Sequence, residues 1–281
     1  MNISALPSDS PVLFADSSLA RRLERTEAHA NMAFVESRAR SSPEVGADWC
    51  DVAGTWAMFD GVGSPLTQTF GLGLFTAPTA EQIEVLERFF SDRDASTQHE
   101  VCTMADATVL ALLGERGYVP VEWSTVLVQR LGAPGARTAH EVTVREITAD
   151  EADAWADVAA AGWSDEPALA DFIRALGRVS VRAEDSLCYL ALIGDEPVAS
   201  ASMHLHGGVA LLAGASTIPR FRRLGAQNAL LSHRLRVASE RECDLAMMVT
   251  APGSESQRNA QRTGFGVAYS RVKWECRRQT G

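Results

Sequence analysis

Apolar residues recur along this chain in two rhythms, about 3.6 residues for helices and about 2 for strands. In the C-terminal half, Leu187–Ile193 is apolar nearly throughout and predicts a buried strand. Gly194-Asp-Glu-Pro197 predicts a turn, and Val198–Leu205 predicts a second strand. His206-Gly-Gly208 predicts a tight hairpin turn leading into a third strand, Val209–Thr217. A helix near Ala226–Glu242 follows, with Leu231, Leu235 and Ala238 on its buried face. Then come a strand at Leu245–Thr250, a short helix, the pair Gly264-Phe265 and a strand at Ser270–Arg277. Upstream, Thr148-Ala-Asp-Glu151 reads as a capping box that opens a helix with Trp155 and Val158 inward. Leu169, Phe172, Ile173 and Leu176 mark another helix, which Gly177 is expected to stop.

The N-terminal half repeats the closing part of this order. A capping box at Thr79-Ala-Glu-Gln82 opens a helix near Ala80–Asp92, with Ile83, Leu86 and Phe90 on one face. A strand at Glu100–Thr103, a helix at Asp106–Arg116, the pair Gly117-Tyr118 and a strand at Ser124–Leu131 follow. Long-period similarity of this kind predicts two copies of one fold. Small residues, Gly and Pro cluster at Leu131–His140, which predicts a linker between domains at 1–135 and 141–281. Each is expected to be α/β, a mixed and mostly antiparallel sheet flanked by helices.

The length of 281 residues suits two domains, and 46% hydrophobic content suits a sizeable core. The net charge of −10 argues against a general binder of nucleic acid or of membrane surfaces. It fits solubility and, equally, attraction of cationic substrates. Five scattered cysteines lack metal or redox spacing and sit among apolar residues, which suggests free buried thiols and a cytoplasmic setting. Neither a signal segment in Met1–Asp16 nor an apolar run long enough to span a bilayer is evident.

The chemistry concentrates in Thr217-Ile-Pro-Arg-Phe-Arg-Arg-Leu-Gly-Ala-Gln227. It joins a predicted strand to a predicted helix, where unpaired backbone N–H groups favour an anion. Arg220, Arg222 and Arg223 add full positive charge. The string Pro219-x-Phe221-Arg222-x-x-Gly225 between strand and helix, with Asn259-x-x-Arg-x-Gly-Phe265 downstream, resembles the GNAT superfamily of N-acetyltransferases. Thr217 and Gln227 depart from that pattern, where the family usually has Val and then Gly or Ala.

The resemblance implies acetyl-CoA as acyl donor and residues 142–277 as one full copy. Amides from Arg222, Arg223, Leu224, Gly225, Ala226 and Gln227 would cradle the pyrophosphate. The strand end Ala215-Ser216-Thr217 would pair with the pantetheine arm. The implied reaction is transfer of acetyl to a primary amine, on a small molecule or a peptide, by direct attack in a ternary complex. A monomer or homodimer without metal is expected.

The tyrosine that often protonates the departing thiolate in this family falls here on Ala260. Ser256 and Asn259 lie on the same segment. Asn259 is assigned to the cofactor, and Ser256 is either a helix cap, a cofactor contact or a weak acid. Asp165 and Glu166, between the first two helices of this half, are candidates to hold the amine, with Glu166 as a base candidate. Helix capping is their alternative. His204 and His206 share a strand face and read as strand-edge histidines, His204 being a lesser base candidate. Tyr269 qualifies as the acid if its strand turns toward the cleft.

In the N-terminal half the matching stretch, Phe70–Thr79, has no arginine cluster. Gly71 and Gly73 read as a bulge or a close backbone approach inside a strand. This half is therefore expected to be a degenerate copy that packs against the active one and shapes its acceptor cleft. Trp49, Trp56 and Trp123 are expected in the core, with the cleft wall as the alternative. An acetyl-CoA sensor or pseudo-enzyme without turnover remains the alternative function.

Overall fold

A computed structural model describes residues 13–132 and 142–276. The expected linker lies, from residue 133 on, outside the described residues. The chain begins with a long helix, α1 (Ser17–Ser41), capped by the Asp16 side chain on the Leu19 amide. Three short strands follow: β1 (Asp48–Val52), β2 (Thr55–Phe59) and β3 (Gln68–Phe70). Next come α2 (Ala80–Ser91), β4 (Gln98–Cys102), α3 (Thr108–Glu115) and β5 (Tyr118–Arg130). The second half runs β6 (Val142–Glu146), α4 (Ala152–Ala161), α5 (Pro167–Ser180), β7 (Ser186–Ile193), β8 (Glu196–His206) and β9 (Val209–Thr217). It closes with α6 (Ala226–Glu240), β10 (Leu245–Thr250), α7 (Glu255–Arg262) and β11 (Gly266–Cys276).

All these strands form one sheet in the order β1-β2-β3-β4-β11-β5-β10-β9-β8-β7-β6. The halves exchange their final strands. β11, from the second half, pairs antiparallel with both β4 and β5 of the first. β5 in turn pairs antiparallel with β10. The repeat pattern predicted the elements but not this exchange, because apolar alternation records burial and not the identity of the neighbouring strand.

One face of the second half carries α6, whose Ala226, Ala229 and Leu230 pack on Tyr189, Ala201, Met203 and Leu212. The other face carries α4, with Trp155 and Ala159 on Cys188 and Leu190. Farther along that face α1 lays Ala20 and Leu23 on Val209, Leu211 and Met247. The first helix thus covers strands of both halves. Sequence pattern missed it because its buried face mixes apolar residues with Glu24, Thr26, Asn31 and Ser37.

Other expectations need correction. Gly177 does not stop a helix but lies within α5. A Cβ there would come 3.1 Å from Ala156 Cβ and from the Trp155 ring, so glycine lets α4 and α5 touch. Gly71 and Gly73 follow β3 as turn residues at φ +81° and +72° rather than forming a bulge. The close approach expected as the other reading is present, since a Cβ at Gly71 would lie 2.8 Å from the Gly54 carbonyl oxygen. Trp123 is 53% exposed, whereas Trp49 and Trp56 pack beside Met58 and Phe70. β8 is paired on both sides, so His204 and His206 are not on an edge. The two-residue turn Gly207-Gly208, at φ +54° and +75°, matches the predicted hairpin.

Candidate active site

β9 and β10 run parallel only from Val209 to Leu211 against Leu245 to Met247, and then separate. A bulge accompanies the separation. On the β8 side, Ser202 pairs with Ala213 and Ser200 with Ser216, so Gly214 and Ala215 are set against Ala201 alone. Ala213, Gly214 and Ala215 are exposed, although residues on both sides of them are buried. Gly214 has φ +59°, and a Cβ would lie 2.8 Å from Ser202 Oγ.

Arg234 of α6 fixes this bulge. Its guanidinium donates to the carbonyls of Ser202 at 2.8 Å and Ala213 at 3.2 Å. The side chain is buried, and burial pushes its pKa down to about 10, still charged at neutral pH. No motif singled it out; its only signal in the sequence is a charged residue on the inner side of a helix.

Beyond the bulge, Ser216 and Thr217 turn their side chains into the protein. Ser216 Oγ donates to the Ala159 carbonyl at 2.8 Å, and Thr217 Oγ1 accepts from Gln227 Nε2 at 2.8 Å. Gln227 therefore folds back on β9. Gly162, at the end of α4, sits so close that a Cβ would be 1.8 Å from Ser216 Oγ. Arg222 reaches across to donate to the Gly162 carbonyl at 2.9 Å. The end of α4, the end of β9 and the arginine loop are thus tied together.

The loop itself offers backbone donors. Arg223 is left-handed at φ +68° and Gly225 at φ +88°, with Leu224 exposed between them. Gly225 occupies the cap position of α6, and no side chain caps the helix. The first-turn amides of α6 consequently remain available to an anion. Ala226 is buried under the helix start. Arg220 is engaged with Glu196 at 2.6 Å, whereas Arg223 is exposed at the loop surface.

The first half shows the opposite arrangement. α2 carries a complete capping box, in which Gln82 Oε1 accepts from the Thr79 amide and Thr79 Oγ1 from the Gln82 amide, so side chains occupy its start. A Cβ at Gly73 would lie 2.2 Å from Val109 Cγ2, so the space beside that turn is filled from α3.

The catalytic candidates are scattered. Ser256 is exposed in the first turn of α7, and the cap of that helix is Ser254, which accepts from the Gln257 amide at 3.2 Å. Asn259 is exposed on the same helix, and Ala260 is buried against the core. Glu166 is exposed at the start of α5 and makes no side-chain capping bond. Tyr269 is committed elsewhere. It is buried and donates to Glu24 Oε1 at 2.8 Å, beside an Arg271 Nε contact of 2.6 Å on the same oxygen. Burial drives the Glu24 carboxyl up to about 7, and its neighbour Glu27 pushes in the same direction. His204 is buried on the α1 face, where desolvation pushes its pKa down to about 4. His206 stacks on His29 of α1 at 3.7 Å.

A splayed strand pair, a bulged and exposed strand edge and an uncapped helix behind an arginine loop set the context for comparison with known proteins. Residues 129–253 match the family model described as Acetyltransferase (GNAT) domain. This stretch is similar to GNAT acetyltransferase domains. The match ends before α7, so Ser256 and Asn259 lie outside it. A GCN5-related N-acetyltransferase from Kribbella flavida superposes with a TM-score of 0.65 at 19% identity, covering 92% of this chain and 96% of that one. A tandem GNAT protein from the clavulanic acid biosynthesis pathway does so with a TM-score of 0.55 at 13% identity, covering 95% and 98%. A GCN5-related N-acetyltransferase from Sphaerobacter thermophilus gives 0.54 at 16% identity, covering 83% and 76%. At these identities the likeness is one of fold, and it extends over both halves. No curated protein sequence matches the chain. No helix among the described residues is long and apolar enough to cross a membrane.

Proposed function

We propose that this protein is an acyl-CoA-dependent N-acyltransferase that moves acetyl from acetyl-CoA to a primary amine in a ternary complex. The observation that carries this reading is the bulge in β9. It exposes Ala213–Ala215 beside the separated β10, in direct continuity with the uncapped start of α6. An extended pantetheine arm can add to such an edge as a strand would. The amides from Arg223 to Gln227 suit the pyrophosphate, and Arg223 supplies a charge-assisted contact. Arg222 acts mainly by holding the loop on the Gly162 carbonyl. Ser216 and Thr217 contribute backbone only, since their side chains are used internally.

In this reaction the amine nitrogen forms a bond to the thioester carbon, and the C–S bond breaks with its electrons on sulfur. The proton lost by nitrogen ends on the thiolate, directly or through water. Ala260 has no proton to give, so water or the Ser256 hydroxyl fills that role. Asp165 and Glu166, both exposed and three and four residues beyond the Gly162 anchor, are the carboxylates available to hold the amine, with Glu166 the base candidate. Ala260 also favours a second reading, a sensor that binds acetyl-CoA without turnover.

Thermal denaturation with acetyl-CoA, CoA and dephospho-CoA tests the site, because a ligand bound only to the native state raises its stability. Acetyl-CoA and CoA are expected to raise the melting temperature, and no shift with either would refute the reading. Release of free thiol with an amine panel then separates enzyme from sensor.

A further inference from the structure

A cavity of about 450 Å³ lies on the opposite side of the bulge from α6, between α1, α5 and the strands β7 to β10. Ala213 and Gly214 form part of its wall, and Val249 faces them from β10. The cavity therefore reaches the exposed strand edge assigned to the thioester. α1 contributes Glu27, Asn31 and Phe34, and α5 contributes Leu176. A volume in this range suits a compact metabolite rather than a polymer.

The cavity is lined by charge of one sign. Its lining holds one carboxylate, Glu27, and neither lysine nor arginine. Glu27 touches Arg271 Nη2 at 2.5 Å, but Arg271 is already bound to Glu24 at 2.6 Å. Glu100, mostly buried, also acts on the same guanidinium. The buried Arg271 thus meets Glu24, whose carboxyl burial raises to about 7, together with Glu27 and Glu100, and of these Glu27, with a side chain 15% exposed, lines the cavity. A second feature is independent of this cluster. His204 is 7% exposed, lines the same cavity, and its Nε2 has no hydrogen-bond partner. A buried polar atom of this kind is costly unless a ligand or water meets it.

We propose that this cavity binds the acceptor as a compact alkylammonium, with Glu27 of α1 pairing its charge, His204 meeting a polar group and Phe34 and Leu176 covering its carbons. The inference rests on the acetyl-transfer reading and gives the first half of the chain a direct part in substrate choice. The ammonium gives Glu27 a second cationic partner on the cavity side, beside Arg271.

The test compares n-butylammonium with n-butanol by calorimetry, on the full chain with and without CoA. Wild type is expected to bind the ammonium at least about tenfold more tightly. E27Q is expected to erase that preference and leave CoA affinity unchanged. Leu176→Lys, on the half-buried rim, adds a cation without touching the Arg271 group and is expected to weaken ammonium binding about tenfold. Binding of neither compound, or a full ammonium preference in both variants, would overturn the inference. CoA titration alone judges the acetyl-transfer reading, so the two failures are distinguishable.

Discussion

Arg222 and Arg223 look equivalent in the sequence, and the structure separates them. Arg222 is spent on the Gly162 carbonyl, whereas Arg223 is exposed and left-handed. Arg223→Ala is expected to weaken acetyl-CoA binding about tenfold with little change in melting temperature, and with reduced salt dependence. Titrations at two ionic strengths check this. His99 offers a second residue-scale prediction. It is fully buried, bonds Thr69 Oγ1 through Nδ1 at 2.8 Å, and desolvation pushes its pKa down to about 3. The unfolded chain therefore binds this proton first as pH falls below about 6.5, and stability is lost through that window. Between pH 7 and 5 the loss from this group is about 2 kcal/mol. Glu24 works in the opposite sense, because its raised pKa makes the folded state hold a proton between 4.5 and about 7. A comparison of wild type with His99→Gln isolates the histidine. The variant is expected to lose less stability on acidification, and equal losses would contradict the assignment.

At the scale of elements, the strand-loop-helix unit was legible because Pro219, Gly225 and the three arginines fall where a strand gives way to a helix. Capping boxes at Thr79 and Thr148 were legible for the same reason, since a local hydrogen-bond pattern needs only local sequence. The bulge, its arginine and the acceptor cavity were not. Arg234 meets Ser202 and Ala213 only after α6 has packed beneath the sheet. α1 hid its role behind buried polar residues, among them Glu24, whose partners lie more than two hundred positions away in β11. Arg234→Met tests the bulge as an element. It leaves two carbonyls unpaired in a buried site while removing a desolvated charge, with a net loss of about 2 kcal/mol expected. Denaturant unfolding measures that loss. The variant is also expected to raise KM for acetyl-CoA, because the strand edge loses its support.

At the scale of the molecule, the exchange of final strands makes each half incomplete. β10 needs β5, and β4 needs β11. A fragment of residues 141–281 expressed alone would expose a long unpaired edge of β10 and β11, a template for aggregation. It is expected to be insoluble or associated, whereas co-expression with residues 1–135 restores a soluble complex, as size-exclusion chromatography would show. A soluble, monomeric 141–281 fragment with full CoA affinity would contradict this view. The same exchange explains how α1 comes to wall a cavity in the other half.

The most direct test of the account is hydrogen exchange of the backbone amides with and without acetyl-CoA. Protection is expected at Ala213–Ala215 and at Arg223–Asn228, with Gly71–Phe75 in the first half unchanged. Unaltered exchange at both of the first two segments under saturating acetyl-CoA, or protection appearing at Gly71–Phe75 instead, would contradict it.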